Sequence, residues 1–197
     1  MLSVKNLTFS YINSETGQPE APVLRDFSLE LAQGEAVAVM GESGSGKTTL
    51  TRLLLGLEKP VSGTIQGLEG KRVAAVFQED RLLPWFSARK NVAAVLTCGR
   101  EEAAALTDRV LEEVELSEAA DKPIRELSGG MQRRAAIARA LAFGGDLLIL
   151  DEPLKGLDDE LKKRVASRIK AHFSTLLLIT HSEEEAELFG CGRIVRL

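Results

Sequence analysis

The sequence predicts a mixed α/β fold: a core built on a parallel sheet, an N-terminal antiparallel β portion, and a mostly helical insert. Three observations carry this. Short apolar runs with no polar face, at residues 36–40, 73–77, 146–150 and 175–179, have the texture of strands buried on both sides. Leu7, Phe9 and Tyr11, and again Phe27, Leu29 and Leu31, alternate with polar residues as half-buried strands do. Between residues 79 and 145 the period changes to that of helices. A chain of 197 residues, 44% hydrophobic and 27% charged, supports one unit with a full core. Residues 1–197 therefore read as a single domain, with the core over about 1–78 and 146–197 and the insert over about 79–145.

The elements follow in order. Residues 13–22 are polar, with Gly17 and Pro19, and read as a loop between two strands. Ala32-Gln33-Gly34-Glu35 turns the chain into the strand at 36–40, and a helix is expected from Lys47 to about Gly56. Within the insert, residues 101–114 and 130–143 carry helical patterns. After the strand at 146–150, residues 159–173 read as an amphipathic helix. Ser182 with Glu185 fits a capping box that starts a short helix, and residues 194–197 form a candidate edge strand.

Composition excludes several classes. Lys+Arg 25 against Asp+Glu 29 leaves a net charge of −4, which argues against a protein that works by gripping nucleic-acid phosphates. No stretch approaches the roughly 18 consecutive apolar residues of a membrane-spanning helix. The opening Met1-Leu2-Ser3-Val4-Lys5 lacks the pattern of a secretory leader. Cys98 and Cys191, the two cysteines, have neither metal-site nor redox spacing and are expected to be small buried hydrophobes. A cytosolic location is expected, with any membrane role exercised through a partner.

The strongest motif is Gly41-Glu42-Ser43-Gly44-Ser45-Gly46-Lys47-Thr48, a G-x-x-x-x-G-K-[ST] string between a buried strand and a helix. Glycines let the backbone wrap a polyphosphate, the N–H groups of residues 44–49, Thr49 included, turn inward, and the helix N-terminus adds its positive end. Lys47 is expected on the β- and γ-phosphates and Thr48 on Mg²⁺. The second element is the strand end before Asp151-Glu152-Pro153. An acidic pair there lies where parallel sheets bind ligands. Asp151 suits Mg²⁺, and Glu152 suits the water that attacks the γ-phosphate.

Leu127-Ser128-Gly129-Gly130 follows the insert and precedes the acidic strand. This order of motifs resembles the ATP-binding cassette family, the ATPase subunits of ABC transporters, whose hallmark is L-S-G-G-Q; here Met131 stands in place of the Gln. The resemblance spans Leu2 to Leu197 and implies a RecA-like P-loop NTPase core using ATP and Mg²⁺. It implies that Tyr11 stacks on adenine, although its line with Leu7 and Phe9 also suits a core aromatic. It implies that Gln78 reaches Mg²⁺ and the attacking water, and that His181 contacts the γ-phosphate. Gly156-Leu157-Asp158 would cross a dimer interface, with Lys155 where a small residue is usual. Ser128, Gly129 and Gly130 would act in trans, closing on ATP held by a second copy. With the sequence ending soon after His181, no appended regulatory domain is expected.

Leu82, Leu83, Trp85 and Phe86 are large apolar residues in a loop that begins beside the nucleotide, a candidate docking surface. Leu82 and Leu83 suit packing inside the insert equally well. The string R-L-L-P-W resembles the importer branch for nitrate, sulfonate, taurine and related solutes, including pyrimidine precursors of thiamine, with Asp80 where a proline is expected. The implied partners are transmembrane permease subunits, a separate solute-binding protein and a second copy of the chain, with no nucleic acid. The implied location is cytoplasmic, peripheral on the inner face of the membrane through the permease. Two other readings stay open: a soluble ABC-type ATPase of repair or translation, whose relatives usually carry coiled-coil inserts or tandem cassettes, and a module that senses ATP without hydrolysing it. Glu152 and His181 speak against the sensor; Met131 and Lys155 speak for it.

Overall fold

The computed structural model describes residues 2–197; Met1, the first residue of the predicted unit, lies outside them. β1 (Leu2–Phe9) pairs antiparallel with β2 (Leu24–Leu31) on one side and β4 (Ser62–Gln66) on the other. The alternation slips inside β1: Leu2 and Val4 are buried in one phase, Leu7 and Phe9 in the other. The register shifts twice, between Val4 and Leu7 at Asn6 (φ 49°) and between Leu7 and Phe9 at Asp26 (φ 47°) of β2, both in the left-handed conformation that these residue types tolerate. Tyr11 lies just beyond β1, so the predicted strand stops short of it. β4 has no counterpart among the predicted strands, because its side chains are almost all exposed and Ile65 is its single large apolar residue. Gly63 there has φ 92°, and a Cβ on it would meet the Asn6 carbonyl oxygen at 2.5 Å, so glycine is required where β4 crosses the slip in β1.

The second sheet is all parallel, in the order β5-β6-β7-β3-β8, formed by β3 (Ala36–Met40), β5 (Val73–Val76), β6 (Leu147–Asp151), β7 (Leu176–Thr180) and β8 (Arg193–Arg196). β8 is an edge strand as expected. β6 and β7 are buried along their whole length, which is why they read as continuous apolar runs. Their two faces feed two cores. Val37, Val39, Ile149, Leu177 and Ile179 join β1, β2 and α1 (Lys47–Leu54) in one. Ala38, Met40, Leu148, Leu150, Leu176 and Leu178 join the remaining helices in the other.

Between β5 and β6 lie α2 (Ala88–Ala93), α3 (Arg100–Glu113) and α4 (Gly129–Phe143), which pack on one another. α5 (Asp159–His172) and α6 (Glu183–Phe189) flank β7. α2, α4, α5 and α6 start on Ser87, Ser128, Asp158 and Ser182, whose side chains accept from the N–H three residues on. The box at Ser182 differs from expectation: Glu185 does not bond back to Ser182. The Ser182 N–H donates to Thr180 Oγ1 (3.1 Å), which donates to Glu185 Oε2 (2.6 Å), so a threonine relays the second half of the cap. Cys98 is exposed, contrary to expectation, while Cys191 packs against the core and burial pushes its thiol up to about 11. Among the described residues no helix is long and apolar enough to cross a membrane.

Candidate active site

Four loops leave the carboxyl ends of neighbouring parallel strands: the glycine-rich loop after β3, Gln78 after β5, Glu152 after β6 and His181 after β7. Parallel sheets bind ligands at this edge. Tyr11, Val23, Ser43, Gly44, Gly46, Lys47, Thr48, Thr49, Gln78 and Glu152 line one cleft of about 330 Å³.

The loop's shape follows from its glycines. Gly44 and Gly46 have φ of 85° and 97°, and a Cβ on Gly46 would meet Leu24 Cδ2 at 2.9 Å and the Val23 carbonyl oxygen at 3.0 Å. Gly41 faces Ser45, whose Oγ would lie 2.3 Å from an added Cβ. Lys47 is only 8% exposed and donates to the carbonyl oxygens of Gly41 (2.8 Å) and Glu42 (2.7 Å), which hold its ammonium under the loop. Gly46 begins α1 without a side-chain cap, and the first turn contains no acidic residue. Its N–H groups are therefore free for an anion, and the helix dipole favours one. Ser45 Oγ is buried without a partner, one more donor in the cradle. This donor set fits a polyphosphate.

The acidic side is assembled around Asp151, 1% exposed. Thr51 Oγ1 donates to its Oδ2 at 3.3 Å. Burial holds the Asp151 carboxyl above the usual range, opposed by hydrogen bonds from Thr48 and Thr51. Thr48 Oγ1 donates to Gln78 Oε1 at 3.0 Å. A hydroxyl, an amide oxygen and a carboxylate side by side are hard oxygen ligands that fit Mg²⁺. Glu152 lies next to them with its side chain 11% exposed. His181 Nδ1 is 3.1 Å from its Oε1, and Lys155 Nζ is 3.6 Å from its Oε2. Lys155, at the position where a small residue was expected, thus adds an ammonium beside Glu152.

Tyr11 meets both of its readings. It lines the cleft, packs against the core, and makes an edge-on contact with Phe9 at 4.9 Å between ring centroids. Its hydroxyl shares a 3.0 Å hydrogen bond with Thr49 Oγ1. Ser128, Gly129 and Gly130 stand apart from the residues that line the cleft. Ser128 Oγ accepts from Met131 N (3.3 Å) and so caps its own helix. A Cβ on Gly130 would lie 3.2 Å from the Gly156 carbonyl oxygen, so the start of α4 is fitted against the Gly156-Leu157 segment of the same chain. Met131 packs against the core, while Gln132 Nε2 donates to the carbonyls of Ile124 (3.1 Å) and Leu127 (3.0 Å) and braces the turn.

The loop after Gln78 divides. Leu82 packs against the core, whereas Leu83, Trp85 and Phe86 are exposed, Trp85 at 72%. Buried Asn91 pins this display: Leu83 N donates to its Oδ1 (2.8 Å), and its Nδ2 donates to the carbonyls of Leu83 (3.1 Å) and Ser87 (3.0 Å).

Two site features have no counterpart in the sequence reading: Thr51, the partner of Asp151, and Arg133, which is 3% exposed and bonds the backbone of Asp151 (2.7 Å) and Pro153 (2.9 Å). A signal for Arg133 existed. It shares the helical face of Ile137 and Ala140, four and seven residues on, both buried.

A family model described as ABC transporter matches residues 24–155. The taurine import ATP-binding protein TauB of Pseudomonas aeruginosa is 40% identical over 208 aligned residues, covering 98% of this chain and 78% of that protein. The aliphatic sulfonates import ATP-binding protein SsuB 3 of Nocardia farcinica is 46% identical over 177 residues, 88% of this chain and 70% of that protein. The bicarbonate transport ATP-binding protein CmpC of Synechococcus elongatus is 37% identical over all of this chain and 31% of its own length. Among solved structures, a dimeric post-hydrolysis state of the ATP-binding cassette MJ0796, bound to ADP and Pi, superposes with a TM-score of 0.88 at 27% identity, over all of this chain and 94% of the other.

Proposed function

The chain belongs to the ABC transporter family as an ATP-hydrolysing subunit, and from that premise we propose that it energises an importer of a small anion or organic solute. The observation that carries the reading is the meeting of Lys47, Thr48 with Gln78, Asp151, and Glu152 with His181 at one sheet edge. Relatives named for taurine, aliphatic sulfonates and bicarbonate support the substrate class.

On this reading residues 1–197 work as one nucleotide-binding unit. The first-turn N–H groups of α1 and Lys47 bind the β- and γ-phosphates, and Tyr11 offers its ring to the base. Thr48, Gln78 and Asp151 would hold Mg²⁺, which when bound offsets phosphate charge. Gln78 orients the water and Glu152 accepts its proton as the oxygen bonds to the γ-phosphorus, giving ADP and phosphate. His181 steadies the Glu152 carboxylate through Nδ1 and faces the γ-phosphate. Ser128, Gly129 and Gly130 of a second copy complete the site, so that ATP joins two copies and its hydrolysis releases them. Leu83, Trp85 and Phe86 bind permease subunits on the cytoplasmic face of the membrane, and a separate solute-binding protein selects the cargo.

Co-purification from membranes tests this. Transmembrane subunits should accompany the chain and raise its Mg²⁺-dependent phosphate release. Recovery with soluble partners alone, or salt-sensitive binding to DNA or ribosomes, would overturn the transport role. No phosphate release in the assembled complex would leave an ATP sensor.

A further inference from the structure

α4 carries three arginines whose guanidinium groups each hold the carbonyl of a residue in the left-handed conformation: Arg133 and Arg139, and Arg134, which donates to the carbonyl of Glu115 (φ 56°). Arg133 donates Nε to the Pro153 carbonyl (2.9 Å), Nη2 to the carbonyls of Asp151 (2.7 Å) and Glu152, and Nη1 to the Phe77 carbonyl (2.5 Å) and to Asp80 Oδ1 (2.8 Å). Arg139 donates to the carbonyls of Arg81 and Asp80, both at 2.9 Å. Glu152 and Arg81 each have φ 47°. Non-glycine residues keep that conformation only where their surroundings hold it. Around Glu152 and Arg81 the surroundings include the guanidinium groups of Arg133 and Arg139.

From this geometry we infer that Asp80 and Arg133 are a positioning pair. Arg133 fixes the backbone turn that aims the Glu152 carboxylate into the cleft, and Asp80 ties that grip to the loop carrying Leu83, Trp85 and Phe86. The inference rests on Glu152 being the base; its link to transport rests on the docking reading of the loop. Arg133 is almost wholly buried, and a buried cation demands a partner charge. The Asp80 side chain, 23% exposed, supplies it. A displacement of residues 79–83 therefore acts on the guanidinium that holds the Glu152 carbonyl. Asp80, at the position where proline was expected, provides a carboxylate that proline lacks.

Hydrogen exchange of the full chain, with and without ATP, tests the pair. In Asp80→Ala, amides of residues 152 and 154–157 should exchange about tenfold faster or more, while those of β7 stay unchanged. Asp80→Asn keeps an oxygen for Arg133 Nη1 and should fall between the two; it also serves as the readable variant if Asp80→Ala does not fold. Nucleotide affinity should stay within about twofold, and kcat should fall about tenfold or more with little change in KM, the signature of a misaimed base. Unchanged exchange at 152–157 would overturn the proposal. So would equal acceleration in β7, which would mark a general loss of stability. If Trp85→Ala leaves membrane association intact, the docking reading fails while the exchange result still decides the pair.

Discussion

Lys47→Ala separates the loop's own stability from its affinity for nucleotide. Removing the ammonium takes a donor from the carbonyls of Gly41 and Glu42. At about 0.5–1.5 kcal/mol per hydrogen bond, the free protein should lose about 1–3 kcal/mol. The phosphate loses a charge-assisted bond worth about 1.5–3 kcal/mol, a ten- to hundredfold weakening or slightly more. With ATP at about 100 times its Kd, the wild-type protein gains about 2.7 kcal/mol, which at ~2–4 °C per kcal/mol raises the thermal midpoint by about 5–11 °C. At the same ATP concentration the variant retains about 0.4–1.4 kcal/mol, a rise of about 1–6 °C. Thermal unfolding at fixed MgATP, with and without the substitution, measures both quantities, and phosphate release should vanish. A variant that keeps the full nucleotide-dependent rise would refute the assignment of Lys47 to the phosphates.

Three further substitutions probe the rest of the site. Glu152→Gln should preserve ATP binding, slow hydrolysis by about 10²–10⁴ and accumulate ATP-bound dimers in light scattering; a variant that stays monomeric in saturating ATP would count against closure of two copies. Asp151→Asn should abolish metal-dependent hydrolysis yet raise the thermal midpoint of the free protein near neutral pH. Burial raises the Asp151 pKa in the fold, so the native state holds its proton longer than the unfolded chain, and stability declines as pH rises from the ordinary carboxylate range through the raised value. Asn removes that decline; an unchanged slope of stability against pH would refute the cause. Trp85→Ala, at an exposed position, should change stability by no more than about 0.5 kcal/mol and weaken permease association about tenfold or more, with ATP affinity untouched. Equal loss of both affinities would assign Trp85 to the interior.

What the sequence disclosed and what it hid divide along a physical line. The glycine-rich loop was legible because its chemistry is local: eight consecutive residues carry the turn, the cation and the hydroxyl. The strands at 36–40, 147–151 and 176–180 were legible because burial on both faces leaves an unbroken apolar run. β4 was hidden because an exposed edge strand needs no apolar pattern, only Gly63 where the backbones cross. Leu82 and Leu83 look alike in sequence. What separates them is the Asn91 side chain, eight residues beyond Leu83, which pins that backbone and leaves its side chain outward. The helical face of Arg133 was readable, but its contact with Asp80 was hidden, because a contact between residues 53 apart has no local signature.

The geometry of α4 joins these parts. Its fifteen residues form a rod about 22 Å long. At its start Ser128 spends its hydroxyl on its own helix, and Gly130 fits against Gly156, so these residues do not line the cleft of their own chain. Their free N–H groups are exposed at a helix N-terminus, where an anion is favoured. On the proposed reading, an ATP that meets them is one held by another copy. Further along the same rod, Arg133 holds the backbone of Glu152 and Arg139 holds the loop that displays Trp85. On the proposed reading, one helix thus touches the backbone that carries the base and the loop that carries Trp85, while its start faces a second copy's ATP.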